Sequence, residues 1–129
     1  MRTLEAQGDE FYVEDGLRGN EGVSKSEKIL GSEAKPEGRL LVVEPDFGFL
    51  PVQFDDRAAE VRCLSRSARS CRITRKNLEL NGVEAEVQNG FHAEKEFDTA
   101  VYAPPAYESI DVVRDRLSSL VSAGGTAPR

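Results

Sequence analysis

Few side chains in this sequence are suited to covalent or metal chemistry. Cys63 and Cys71 lie eight residues apart, and His92 is the single histidine. There is no C-x-x-C pair and no plausible set of metal ligands, so no metal site is expected. No serine, cysteine or aspartate stands at a spacing from His92 that suggests a triad. The cysteines therefore read as two small buried residues of a reducing compartment, and His92 as a loop residue. Charge is the other resource. The chain carries a net −6, which argues against nucleic-acid binding over its whole surface. Residues 57–76 reverse that sign: Arg57, Arg62, Arg66, Arg69, Arg72, Arg75 and Lys76 stand against Glu60, a local +6 that leaves −12 elsewhere. Arg69, Arg72 and Lys76 fall at i, i+3 and i+7, flanked by Arg66 and Arg75. Such a face suits RNA phosphates. Solvated helices carry similar runs, and no interleaved aromatics mark base stacking.

One domain must position these groups, since 129 residues leave no room for two. No apolar run approaches the roughly 18 residues that span a bilayer. Met1-Arg2-Thr3-Leu4-Glu5 lacks the basic-then-apolar pattern of a secretion signal, so a cytoplasmic protein is expected. Residues 1–36 read as a polar, mostly irregular arm, able to dock only through Phe11-Tyr12-Val13 and Ile29-Leu30. Within it, Ser24 and Glu27 form a capping box for a short helix that ends at Gly31. Residues 37–125 read as the folded domain and 126–129 as a tail.

The pattern becomes regular from Gly38. Arg39 to Val43 is an apolar run typical of a strand buried on both faces, followed by the turn Glu44-Pro45-Asp46-Phe47-Gly48. The next stretch predicts a helix over Phe49–Ala59, with Pro51 in its first turn, and a strand over Glu60–Leu64. Ser67 caps a second helix whose inner face is expected to be Ala68, Cys71, Thr74 and Leu78, stopped by Asn81-Gly82. Glu84–Gln88 and Asp98–Tyr102 read as further strands, and Ser109–Val121 as an amphipathic helix through Ile110, Val113, Leu117, Leu120 and Val121. Strands and helices alternating in this way predict an α/β fold with a parallel sheet. Residues 89–97 are short for a crossover, but extended they still reach about 30 Å.

The stretch from Ser67-Ala68-Arg69 through Arg75-Lys76-Asn77-Leu78-Glu79-Leu80-Asn81-Gly82-Val83 resembles class I methyltransferases. It is similar to the small-domain enzymes that methylate guanine N2 in small-subunit ribosomal RNA. Phe97-Asp98, Val101 and Pro104-Pro105 are similar to that family's F-D-x-V-x-N-P-P segment, and Gly48-Phe49-Leu50 falls where its nucleotide loop ends. The resemblance covers residues 38–125. It implies a Rossmann-like parallel sheet of about four strands in the order 3-2-1-4 with flanking helices. It also implies further strands that this sequence lacks, and hence an exposed fourth strand open to a homodimer or a partner protein.

The resemblance implies S-adenosylmethionine as cofactor and places its contacts at Glu44, Gly48, Ser65 and Asn89. Two registers are open for the glycine-rich turn after the first strand. Aligning on Gly48-Phe49-Leu50 puts Val42 at the family's acid and Glu44 and Asp46 at glycine positions. Shifting by two makes Glu44 the acid, with Asp46 and Leu50 replacing glycines. The ribose-binding acid aligns with Ser65, which offers one uncharged bond; losing a charged acceptor costs about 1.5–3 kcal/mol. Ser65 is equally a turn residue ahead of the Ser67 cap. Asn89-Gly90 stands at the adenine-contacting position, where the amide oxygen of Asn89 can accept from the adenine amino group. The catalytic motif N-P-P-[YF] aligns with Ala103-Pro104-Pro105-Ala106-Tyr107. Pro104, Pro105 and Tyr107 keep the turn and an aromatic face, while Ala103 replaces the acceptor asparagine; the same residues also read as a rigid turn with a packing tyrosine. Two functions follow from the resemblance. One is an RNA-directed N-methyltransferase; the other is a non-catalytic pseudo-methyltransferase that binds RNA or a protein.

Overall fold

Four consecutive apolar residues, Leu40 to Val43, are buried because they form the central strand of a sheet covered on both faces. In the computed structural model, which describes residues 2–14, 23–36, 38–90 and 97–102, this strand is β3 (Arg39–Val43). β4 (Glu60–Ser65) and β6 (Thr99–Tyr102) pair with it in parallel on either side, and β5 (Glu86–Asn89) lies beyond β4. The order β5-β4-β3-β6, counted from β3 as first strand, is the expected 3-2-1-4. Side-chain alternation along the strands makes two cores. Leu40, Val42, Val61, Cys63, Val87 and Val101 pack with helices α2 (Phe49–Phe54) and α3 (Ala68–Leu80), whereas Leu41, Val43, Leu64, Phe97 and Tyr102 form a separate cluster. No helix among the described residues is long and apolar enough to cross a membrane.

The N-terminal arm is more ordered than its polarity suggests. β1 (Arg2–Ala6) and β2 (Asp9–Val13) form an antiparallel hairpin about Gln7 and Gly8. Both turn residues have positive φ, 53° and 85°, the two-residue geometry that matches strand twist. Alternation along β2 sends Phe11 and Val13 into the main core. The Phe11 ring meets Phe47 edge-on at 5.5 Å and lies 5.8 Å from Phe49.

Two helix ends also differ from expectation. α1 (Lys25–Glu33) has the Ser24–Glu27 capping box but continues past Gly31. Gly31 is in the helix for packing: a Cβ there would stand 3.3 Å from the Phe49 ring. α2 stops at Phe54, not Ala59, because the chain turns back at once. Arg57 and Ala58 donate to the Phe54 carbonyl, and Ala59 donates to Gly38 to start β4.

α3 begins and ends where its caps predict, with Ser67 Oγ accepting from Ser70 N at 3.2 Å and Asn81 as C-cap. Its buried face includes the expected Cys71, Thr74 and Leu78 but is broader and lacks Ala68. Ser70, Cys71, Ile73, Thr74, Asn77 and Leu78 point inward, and Ala68 is exposed. Asn77 is 0 % exposed. Its Nδ2 donates to the Phe47 carbonyl at 2.6 Å and the Tyr12 carbonyl at 2.9 Å, and its Oδ1 accepts from Tyr12 N at 2.6 Å. One side chain thus joins α3, β2 and the loop after β3.

Truncating Asn77 strands these backbone groups away from water. Asn77→Ala is expected to lower the unfolding free energy by about 3 kcal/mol, at 1–3 kcal/mol for each buried group left unpaired. Urea unfolding at unchanged m-value checks this; a loss below about 0.5 kcal/mol, the range of ordinary surface substitutions, would show that water replaces the amide.

Candidate functional site

In open α/β sheets, ligands bind outside the carboxyl ends of the strands. Here that end is formed by residues 44–48 after β3, 65–67 after β4 and 89–90 after β5. The first segment has an unusual backbone: Glu44, Asp46 and Gly48 have φ of 52°, 59° and 102°. Left-handed φ is free for glycine but costs other residues about 1 kcal/mol or more. The three positions coincide with the glycine positions of the register aligned on Gly48, which places Val42 at the acid; Val42 is wholly buried. In this register Glu44 is a replaced glycine.

The loop is held from below by α3. The Asp46 carbonyl accepts from Ser70 Oγ at 2.6 Å and Thr74 Oγ1 at 3.4 Å, and the Phe47 carbonyl accepts from Asn77. Glu44 N donates to the Leu64 carbonyl at 2.8 Å, carrying the strand pairing one residue further. At Gly48 a Cβ would stand 3.4 Å from the Thr74 Cα, so helix and loop approach closely, backbone to backbone.

Above the loop, the Glu44 side chain crosses to the end of β4. Its Oε2 accepts from Ser65 Oγ at 3.1 Å; its Oε1 accepts from Arg66 N at 3.0 Å and approaches Arg66 Nε at 3.5 Å. The Glu44 side chain is 20 % exposed, so the carboxylate lies near the surface at the carboxyl end of the sheet. Ser65 is fully buried, and its hydroxyl also accepts from Ser67 N at 3.1 Å. The Ser65 carbonyl receives Asn89 Nδ2 at 3.0 Å and Gly90 N at 2.9 Å. Glu44, Ser65 and Asn89 are therefore brought together, with Gly48 at the far end of the loop. Ala103, Pro104, Pro105, Tyr107 and His92 lie outside the described residues.

Beneath the site, Cys63 and Cys71 are both buried and free. Burial pushes the Cys63 thiol well up, with the nearby Cys71 adding to the effect. Burial also raises Cys71, with Arg75 and Asn89 pulling the other way.

The basic stretch divides in two. Arg57 is structural, donating to the carbonyls of Gly31, Ala34 and Gln53 and lying over the Phe54 ring. Arg62 is also internal: its side chain is 6 % exposed and pairs with Glu86. Arg75 donates to the Val87 carbonyl at 2.8 Å. Arg69, Arg72 and Lys76 stay on the outer face of α3, where Arg69 and Arg72 approach Glu14 at 3.8 and 3.6 Å. Sequence reasoning misses Ser70, Asn77 and Glu14. The first two lie inside the stretch that resembles methyltransferases, but polar side chains count as outward in a periodicity argument. Nothing in the sequence signals the pairing of Glu14.

Solved structures similar to this chain include three RNA methyltransferases. It matches the T. thermophilus 16S rRNA N2 methyltransferase in complex with AdoMet and guanosine at 20% identity and TM-score 0.70, over 95% of this chain and 38% of that one. It matches the Pyrococcus abyssi tRNA (uracil-54, C5)-methyltransferase in complex with S-adenosyl-L-homocysteine at 16% identity and TM-score 0.65, over 95% and 32%. It matches an M. jannaschii tRNA methyltransferase at 9% identity and TM-score 0.64, over 92% and 39%. The fold is the methyltransferase fold. The chain spans between about a third and two fifths of the length of these three structures. No family model matches the sequence, and no curated protein does.

The methyltransferase fold implies S-adenosylmethionine, and the residues present do not fit it. The carboxylate of Glu44 lies across the ends of β3 and β4 and takes up the Ser65 hydroxyl and the Arg66 amide. Asp46, at the next left-handed position, is buried, so its side chain fills space that a glycine would leave bare.

The burial of the thiols has a chemical consequence, because the thiolate is the reactive form. Neither Cys63 nor Cys71 is expected to react with a disulfide reagent at pH 8 in the native protein, and both should react in urea. Rapid native labelling of one thiol per chain would mean that α3 opens away from β4.

Proposed function

We propose that this chain is a methyltransferase-fold protein that has left catalysis and serves as a non-catalytic RNA-binding module. The observation that carries the first half is the Glu44 carboxylate, which stands at a glycine position and is bonded across the groove to Ser65 and Arg66. A protein that held a cofactor there would need bare loop amides and a free acceptor at the end of β4. The second half rests on charge. Arg69, Arg72 and Lys76 present one exposed face on a chain of net −6, beside Arg66 at the rim of the groove. A local basic stripe on an acidic protein steers an anion to one place. The structural likeness to RNA methyltransferases agrees with RNA as that anion. A cytoplasmic setting goes with this reading.

The alternative is an active RNA guanine-N2 methyltransferase using S-adenosylmethionine. The retained left-handed backbone at residues 44, 46 and 48 favours it, as do the positions of Asn89, Pro104, Pro105 and Tyr107 in the sequence. In that reading Asn89 faces the adenine, and Pro104-Pro105 with Tyr107 shape the target pocket.

Two measurements separate the readings. Calorimetric titration with S-adenosylmethionine is expected to show no binding at millimolar ligand; micromolar affinity would return the chain to the enzymes. Binding of a short structured RNA should weaken with salt. Reversing Arg69, Arg72 and Lys76 to glutamate should flatten the log–log salt slope by about 2, near 0.7–0.9 for each phosphate that is no longer neutralised. An unchanged slope would remove RNA from this face.

A further inference from the structure

We infer that Glu44 is an intramolecular latch: its side chain shuts a groove that would otherwise take an adenine nucleoside thioether. The inference rests on the non-catalytic reading above and gives it a single physical cause. Three observations lead to it.

First, the loop does not depend on the Glu44 side chain for its shape. Its carbonyls at Asp46 and Phe47 are held by Ser70, Thr74 and Asn77 of α3, and Glu44 is joined to β4 through its own backbone N–H. Second, the side chain is attached to a backbone that glycine would adopt more readily, φ 52°. Its left-handed penalty is offset only by the bonds that the side chain itself makes. Third, both carboxylate oxygens are spent on groups at the rim, Oε2 on the Ser65 hydroxyl and Oε1 on the Arg66 amide and guanidinium. Both groups stand at the carboxyl end of β4, the side of an open α/β sheet on which ligands bind, with Ser65 buried beneath the carboxylate. A ligand must displace charge-assisted hydrogen bonds before it can make its own. Taking away the side chain beyond Cα therefore frees the groove, its donors and its local charge together, with the loop left standing.

The test uses the full chain in three forms, wild type, Glu44→Gly and Glu44→Gln, titrated with S-adenosylhomocysteine by calorimetry. Each form first has its melting temperature and circular dichroism recorded. Glu44→Gly should stay folded and melt close to wild type, because relief of the left-handed φ offsets the lost bonds to Ser65 and Arg66. It should bind at least tenfold more tightly than wild type, the lower end of what a charge-assisted bond is worth. Glu44→Gln keeps the volume and an oxygen acceptor for Arg66 but not the charge, and should fall between wild type and Glu44→Gly. A folded Glu44→Gly protein with wild-type affinity overturns the latch and leaves the non-catalytic reading standing. Loss of folding in Glu44→Gly also overturns it, since the side chain would then be scaffold. Should wild type itself bind at micromolar concentration, the non-catalytic reading falls. The latch then survives only if Glu44→Gly still binds tenfold more tightly.

Discussion

Two backbone carbonyls, those of Asp46 and Phe47, turn down from the loop after β3 onto a polar strip of α3, and the arrangement of the domain follows from that junction. Ser70, Thr74 and Asn77 receive them in a region sealed from water. Unpaired, those carbonyls would each lose roughly 1–3 kcal/mol, a large share of the roughly 5–15 kcal/mol that holds a domain together. The junction fixes how close α3 comes to Gly48, and so where Phe47 and Phe49 enter the core. The same Asn77 takes both backbone groups of Tyr12, which fastens the hairpin and lets Phe11 close the aromatic cluster.

This division of labour separates the path of the loop from the side chains on its outer side. The loop's path is set by α3 and by the backbone of β4, so residues on its outer side are free to change. Glu44 and Asp46 each carry the penalty of a left-handed φ. At Glu44 the penalty is offset by bonds to Ser65 and Arg66. The stretch that most resembles the family, from Ser67 to Val83, contains the buried Ser70, Thr74 and Asn77 and the cap residues Ser67 and Asn81. Within it the strongest family signal is one of scaffold. Glu44, Ser65 and Asn89, at the carboxyl end of the sheet, lie in other segments.

The sheet is legible in the sequence because strands buried on both faces announce themselves as apolar runs, and because Ser67, Asn81 and Gly82 mark the ends of α3. Strand ends at β4 to β6 differ from expectation by at most two residues. The hairpin is not legible: Leu4, Phe11 and Val13 are spread through charged neighbours, and only the Gln7-Gly8 turn marks it. The inner face of α3 escapes for a related reason. A hydrophobic count prefers Ala68 to Asn77, whereas the real surface beneath the helix offers carbonyls to be satisfied as well as carbon to be covered. The basic stretch reads as one feature, yet Arg57 and Arg62 serve the interior and only part of the run reaches the outer face of α3. Of the site, the resemblance implies Glu44, Gly48, Ser65 and Asn89, and the structure places them at the carboxyl end of the sheet. That Glu44 bonds to Ser65 is beyond the sequence, since the pairing depends on a backbone angle.

The central claim is that the Glu44 carboxylate is bonded across the groove in the resting protein. Amide hydrogen exchange at Arg66, read by nuclear magnetic resonance in wild type and in Glu44→Ala, tests it most directly. The account requires Arg66 N–H to be protected in wild type and to exchange at least tenfold faster in the variant, as losing a charged acceptor demands, with Leu64 and Val43 unchanged. Equal exchange at Arg66 in the two proteins would contradict it and leave the groove open.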